Sequence, residues 1–419
     1  MPPADPERFP CFDGLRAIAA VAVLVTHVSF ITTANRVAGG SYLARLDSGV
    51  AIFFVISGFL LYRPRIVAAF GGRPAPRTAS YLYRRALRIY PAYWVAAIAI
   101  ALGFGVKPWT GVADALAHLG LVHIYDEDTV VSGPISQAWS LGTEVTFYAA
   151  LPLLGGIAMW VARRTARRLG PQLVFVAAIY LSSIAYRSWV ALTQGDRAAT
   201  MSTWLPGYLD QFALGMALAV LHSWTRTRVP SRWSGAIASP WLPVVSWLLA
   251  FGALTVAAFG VGLPTSGLDY SPGQQVGRQV TYGLWGLFLV VPAVFGPQDR
   301  GAVRWVLRNR VAHAVGLVSY GVYLWHQFFI DRFQRLTGTP EFGGRFGEAL
   351  AFVLGGALVA GAASYLLVER PALALKDRWV GARRASTGAL APPSLVLGGI
   401  DPTLQGRFHP EGERRGRGA

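Results

Sequence analysis

Charged residues are scarce in this 419-residue chain: 14% are Asp, Glu, Lys or Arg, where a soluble protein carries about a quarter. That shortage excludes an ordinary soluble globular domain. Cysteine is nearly absent. The lone Cys11 rules out an internal disulfide and cannot assemble a zinc cluster by itself. It sits at the expected cytoplasmic end of the first apolar segment, where a reduced thiol needs no role. Lysine is rare beside arginine and alanine, a composition that points to a GC-rich bacterial source. Also missing are a His-Glu-x-x-His helix, a phosphate-cradling glycine-rich loop and a Gly-x-Ser-x-Gly elbow. No short internal repeat is present, which removes solenoids.

What is abundant is apolar length. Hydrophobic residues make up 53% of the chain, and stretches of about 20 recur, each able to cross a ~30 Å hydrocarbon core. Ten are read, at about 12–32, 47–68, 84–105, 139–161, 171–192, 203–222, 239–261, 277–296, 310–330 and 346–369. The expected fold is therefore all-α, a polytopic membrane protein of about ten transmembrane helices. The first segment is not expected to be a cleaved signal peptide, being long for one and carrying buried ionisable residues.

A net charge of +17 might suggest a nucleic-acid partner, but its distribution argues against one. Residues 63–88 hold seven arginines and no acid. Arg163, Arg164, Arg167 and Arg168 follow the fourth span, Arg226, Arg228 and Arg232 the sixth, and Arg300, Arg304, Arg308 and Arg310 the eighth. Connections after odd spans are poorer in basic residues, and 106–138 carries Asp126-Glu127-Asp128. This alternation is the positive-inside pattern. It places both termini and the even-numbered connections in the cytoplasm, with the protein in the inner or plasma membrane. The expected organisation is a cytoplasmic segment 1–11, a ten-helix domain 12–370, and a cytoplasmic, mostly disordered Gly/Pro/Arg-rich tail 371–419. That tail is too short for a further catalytic domain of ordinary size. The sequence leaves a homo-oligomer open.

Ionisable residues inside spans are costly and usually face a polar pathway or a site. Arg16 and His27 are eleven residues apart in the first span; eleven residues make about three helical turns plus ~20°, so both fall on one face, ~16 Å apart along the axis. Arg85 and Arg88, next to Arg84 at the start of the third span, are i,i+3 neighbours. Guanidinium forks there can bind phosphate oxygens, although snorkelling at a helix end would explain them as well. Glu144 lies about one turn into the fourth span, at a depth like that of His27, where a carboxylate could support an imidazolium. His326 lies in the ninth span beside the belt residues Tyr323 and Trp325. Alone, it reads as a satisfied polar residue. His123 and Asp128 have a His-x4-Asp spacing but lie in the acidic loop, and His118 and His123 are poorly spaced to share a metal. No metal site is expected.

These residues together resemble the membrane acyltransferase-3 family. The matching stretches are Phe12-Asp13-Gly14-Leu15-Arg16 with His27, Phe53-Phe54-Val55-Ile56-Ser57-Gly58-Phe59-Leu60, and Arg84-Arg85-Ala86-Leu87-Arg88 with Tyr90-Pro91. Trp139-Ser140-Leu141 with Glu144 and Phe147-Tyr148, then Ser319-Tyr320-Gly321 with Tyr323-Leu324-Trp325-His326, complete the order across about 12–370. Val145 stands where many members have a second acid, and Gln327 where many have Trp. The resemblance implies transfer of an acyl group, commonly acetyl, from cytosolic acyl-CoA to a hydroxyl of a sugar-containing acceptor: an envelope glycan, a glycolipid or a glycosylated secondary metabolite.

On that resemblance Arg16, Arg84, Arg85 and Arg88 would bind CoA, and His27, Glu144 and Arg16 would form the catalytic group. Ser57, Trp139, Tyr320 and His326 would contact the acceptor. The partners implied are acyl-CoA, the acceptor and the bilayer. The rival class is a transporter or lipid-linked-glycan flippase using the same Arg, His and Glu as a proton relay; it would call for discontinuous paired spans in two related halves, which the sequence does not display.

Overall fold

The computed structural model describes residues 9–375 apart from 38, 228–230 and 268–269. It divides into two compact units, Met1–Leu373 and Ala374–Ala419, the second described only at Ala374 and Leu375. No strand occurs among the described residues. Ten long helices carry the first unit: α1 (Phe12–Ile31), α2 (Gly49–Gly71), α3 (Thr78–Ile98), α4 (Trp139–Arg164), α5 (Leu169–Thr193), α6 (Leu209–Thr227), α7 (Leu242–Thr255), α8 (Pro272–Val294), α9 (Arg310–Thr337) and α10 (Phe346–Ser364). Each coincides with one apolar stretch. The protein is an all-α membrane protein.

Seven of the ten spans are long and apolar enough to cross a membrane on composition alone. The three that fall short are α6, α8 and α9, which carry Asp210 and Gln211, Arg278 and Gln279, and His326. Polar residues that lower a span's hydropathy mark it as facing the bundle interior. Several boundaries differ from expectation, two of them for evident local reasons. Helix α6 starts at Leu209, six residues late, because Leu205-Pro206-Gly207 forms a separate 3-10 turn. Helix α8 starts five residues early, where Pro272 at its first position and a Ser271/Gln274 capping box satisfy its leading N–H groups. Residues 371–373, expected in the tail, are still helical, and the tail beyond Leu375 lies outside the described residues.

Helices α1 and α2 sit at the centre: 61% of each apolar window is buried, against 22% for α5. The motif around Gly58 explains much of this. In lipid, helices associate through close backbone approach at small residues rather than through water exclusion. Gly58 and Gly215 supply such a contact between α2 and α6, because a Cβ on Gly58 would overlap the Phe212 carbonyl and one on Gly215 the Val55 carbonyl. Phe54, Phe212 and Phe147 then stack between α2, α6 and α4, with centroids 4.5 and 4.0 Å apart. Phe53 and Ser57, on the other side of α2, are left to line a cavity.

Candidate functional site

Two cavities inside the bundle share Val50 and Tyr323 in their walls. The first, about 830 Å³ with its open mouth, is lined at one end by Arg16 (α1), Arg85 and Arg88 (α3) and Tyr320 (α9). It continues past Ser57, Glu144 and Ser140 to Val50 and Tyr323. The second, about 460 Å³, begins at the same Val50 and Tyr323 and is lined by His27, Asp47, Trp139, Gln211 and Arg278 among others. Arg16 and His27 therefore open into different cavities, not one groove. The Tyr323 hydroxyl is held between them by Ser140 Oγ (2.7 Å) and the Gln137 carbonyl (2.9 Å).

The first cavity gathers cations. Arg16 is braced by Asp13 at 2.8 Å, and Asp13 also meets His313 Nδ1 at 3.1 Å. Arg88 meets Glu369 at 3.4 Å, a carboxylate set in the π-helical turn Tyr365–Glu369 that continues α10. Arg85 keeps a buried Nε with no hydrogen-bond partner. Three guanidinium groups at one mouth repel each other and favour a polyanion. Arg84 is not among them: it donates to Ser80 Oγ at 2.6 Å and lies outside the cavity lining.

Glu144 does not meet His27. It accepts from Ser57 Oγ and faces the first cavity. Similar depth on two helices was the only link between them, and depth says nothing about direction around the axis. The partner of His27 is His326: Nδ1 of His27 lies 2.8 Å from Nε2 of His326, with the rings near parallel at 5.0 Å. His326 Nδ1 faces the Tyr323 carbonyl at 2.8 Å and the Val322 carbonyl at 3.3 Å. Carbonyls only accept, so His326 Nδ1 carries the proton and its Nε2 is a lone pair. His27 must then donate from Nδ1, which leaves the lone pair on His27 Nε2. The carboxylate acting on His27 through space is Asp47, on the same cavity.

The four residues expected at the acceptor scatter. Ser57 and Tyr320 line the arginine cavity, Tyr320 donating to the Ile89 carbonyl at 2.9 Å. Trp139 lines the second cavity, and His326 lies fully buried behind His27, lining neither. Sequence reasoning missed Asp47, Gln137, Gln211, Arg278, Gln279 and Glu369. The signal for four of them was present, as polar residues inside spans or at their ends, at Asp210-Gln211 and Arg278-Gln279, and Glu369 close after Ser364. His118 and His123 stack at 4.6 Å, while Asp128 is exposed and makes no dyad with His123. Among the described residues no group of three His, Cys, Asp or Glu could hold a metal ion.

Comparison with known proteins covers nearly the whole chain. A family model described as an acyltransferase domain, the acyltransferase-3 type, matches residues 9–368. The exopolysaccharide production protein ExoZ of Rhizobium meliloti is 28% identical over 81% of this chain and 92% of its own length. The acyltransferase MdmB of Streptomyces mycarofaciens is 28% identical over 88% of this chain and 93% of its own. The peptidoglycan O-acetyltransferase OatA of Listeria monocytogenes is 23% identical over 76% of this chain and 48% of its own. No solved structure matches.

Proposed function

Because the chain belongs to the acyltransferase-3 family, we propose that this membrane acyltransferase moves an acyl group, acetyl in the first instance, from cytosolic acyl-CoA to a hydroxyl of a sugar-containing acceptor. The observation that carries this reading is the pair of cavities that share Val50 and Tyr323 in their walls, one ending in three arginines and the other lined by a histidine with a directed lone pair. Arg16, Arg85 and Arg88 neutralise the phosphates of CoA. The pantetheine arm runs along the cavity past Ser57, and the thioester comes to rest near Tyr323. The acceptor enters from the other cavity. Names of relatives that refer to exopolysaccharide and peptidoglycan favour a glycan acceptor.

The step balances on one histidine. His27 Nε2 takes the proton of the acceptor hydroxyl as its oxygen attacks the thioester carbonyl. The C–O bond forms, the C–S bond breaks, and the imidazolium returns the proton to the departing thiolate, giving the O-acyl product and free CoA. His326 keeps His27 in the tautomer this needs. Glu144 acts in the donor cavity through Ser57, not on the imidazole. The basic connections support an orientation with the arginine end of the bundle and both termini in the cytoplasm and the His27 end on the far side.

The test uses full-length protein in detergent with radiolabelled acetyl-CoA and, as acceptor, the glycan fraction of the source membrane. His27→Ala should abolish transfer while acetyl-CoA affinity stays within about twofold, a loss in the chemical step. Substantial activity in His27→Asn or His27→Gln would remove His27 from the mechanism.

A further inference from the structure

The second cavity holds polar groups that nothing in the protein satisfies. Gln137 and Gln211 are 4% and 1% exposed, and each has a side-chain carbonyl oxygen with no hydrogen-bond partner. Arg278 has an unpartnered buried Nε at the same cavity. An orphaned polar atom costs ~1–3 kcal/mol, so three of them in side chains that line one space favour an occupant that supplies the missing partners once those side chains turn towards it. Two of them are acceptors and need O–H or N–H donors; the third needs an oxygen acceptor. A ring bearing several hydroxyls meets both demands, because each hydroxyl donates and accepts.

Charge and shape narrow the class. Asp47 is ion-paired with Arg278 and also accepts from the Tyr282 hydroxyl, so each of the two charges already has its partner. The Arg278 guanidinium lies over the Tyr282 ring at 4.8 Å and the Tyr270 ring at 5.4 Å, which hold it in place. The arginine in the cavity lining, Arg278, is already neutralised by Asp47, and an anionic ligand would meet that carboxylate. Trp139, packed on Tyr208 at 5.4 Å, provides an apolar wall for the C–H face of a ring. His27 lines the same space.

We infer that this cavity is the acceptor subsite, and that it takes an uncharged sugar ring in preference to a uronic acid. The inference rests on the acyl-transfer reading above for its role but not for its ligand. Gln137 and Gln211 bind ring hydroxyls, Arg278 Nε binds a hydroxyl oxygen, and the Asp47–Arg278 pair rejects a ring carboxylate. A hydroxyl held there is presented to His27 Nε2.

The test is saturation-transfer NMR on the full chain in nanodiscs, with methyl β-glucoside and methyl β-glucuronide as probes. Transfer to the glucoside should be at least fivefold stronger than to the glucuronide at neutral pH. It should fall at least fivefold in Gln211→Leu and in Trp139→Ala, and persist in Arg85→Ala, whose lesion is in the other cavity. Should Gln211→Leu fail to elute as a monodisperse species, Gln137→Leu takes its place. Equal transfer to both probes, no transfer to the glucoside, or an unchanged signal in Gln211→Leu and Gln137→Leu would overturn the inference. Acetyl-CoA titration of the same nanodiscs separates the two readings: its failure removes the donor but leaves the sugar result standing.

Discussion

At the scale of single residues, His27 and His326 form one unit with a direction. The two carbonyls facing His326 Nδ1 decide its tautomer, and that decides which nitrogen of His27 can accept a proton. Replacing His326 with Ala leaves His27 able to adopt either tautomer. The expected result is a 10–100-fold fall in kcat with KM for acetyl-CoA unchanged, because the base is misdirected while the donor cavity is untouched. His326→Gln should recover part of the loss, since an amide oxygen can accept from His27 Nδ1. A shift in KM alone would mean that His326 serves binding. The arginines behave differently. On the proposed reading, Arg85→Ala removes one charge-assisted phosphate contact of ~1.5–3 kcal/mol and should weaken acetyl-CoA binding by roughly 10–100-fold in calorimetry. Arg88→Lys should rescue only in part, because the planar fork is lost. Unchanged affinity in the Arg85→Ala/Arg88→Ala double variant would exclude CoA from this mouth.

At the scale of elements, the contact between α2 and α6 depends on two missing side chains. Gly58→Ala inserts a methyl group against the Phe212 carbonyl, and overpacking of this kind costs ~1–3 kcal/mol. The folded, monodisperse yield should drop. Gly156→Ala in α4, with open space around it, should not lower the yield and can raise stability slightly by its better helix propensity. The connection between α3 and α4 is sensitive to pH instead. Burial pushes the imidazolium of His123 down to about 3, with the charge of His118 adding to the effect. Unfolded, the same ring takes a proton near pH 6.5. The unfolded segment therefore binds more protons as pH falls, so the stability present above about 6.5 is lost on the way down towards 3. At pH 5 the loss is on the order of 2 kcal/mol. Hydrogen-exchange protection over residues 112–125 should decline between pH 7.5 and 5 after correction for intrinsic rates, and His123→Phe should flatten the decline.

At the scale of the whole molecule, the proposed orientation in the membrane would link the two cavities to two compartments, and it can be tested directly. With Cys11→Ser as background, a cysteine placed near Asp126 should react with a membrane-impermeant thiol reagent in intact cells, and one near Arg167 should not. The reverse pattern would put the arginine mouth outside and separate it from cytosolic acyl-CoA. The sequence by itself determined the all-α membrane class and the ten spans, because span length and charge asymmetry are properties of consecutive residues read against a slab of fixed thickness. It also drew attention to Arg16, Arg84, Arg85 and Arg88, since charges near one boundary can be counted along the chain, but only the structure left Arg84 out of the cavity lining. Tertiary structure alone decided the rest. Whether Glu144 or His326 meets His27 depends on the rotation and tilt of α4 and α9 against α1, which no spacing within one helix specifies. The division of one expected groove into two cavities depends on where Ser140 and Gln137 hold Tyr323. The orphaned oxygens of Gln137 and Gln211 become informative only when other helices close around them and take away the water that would otherwise satisfy them.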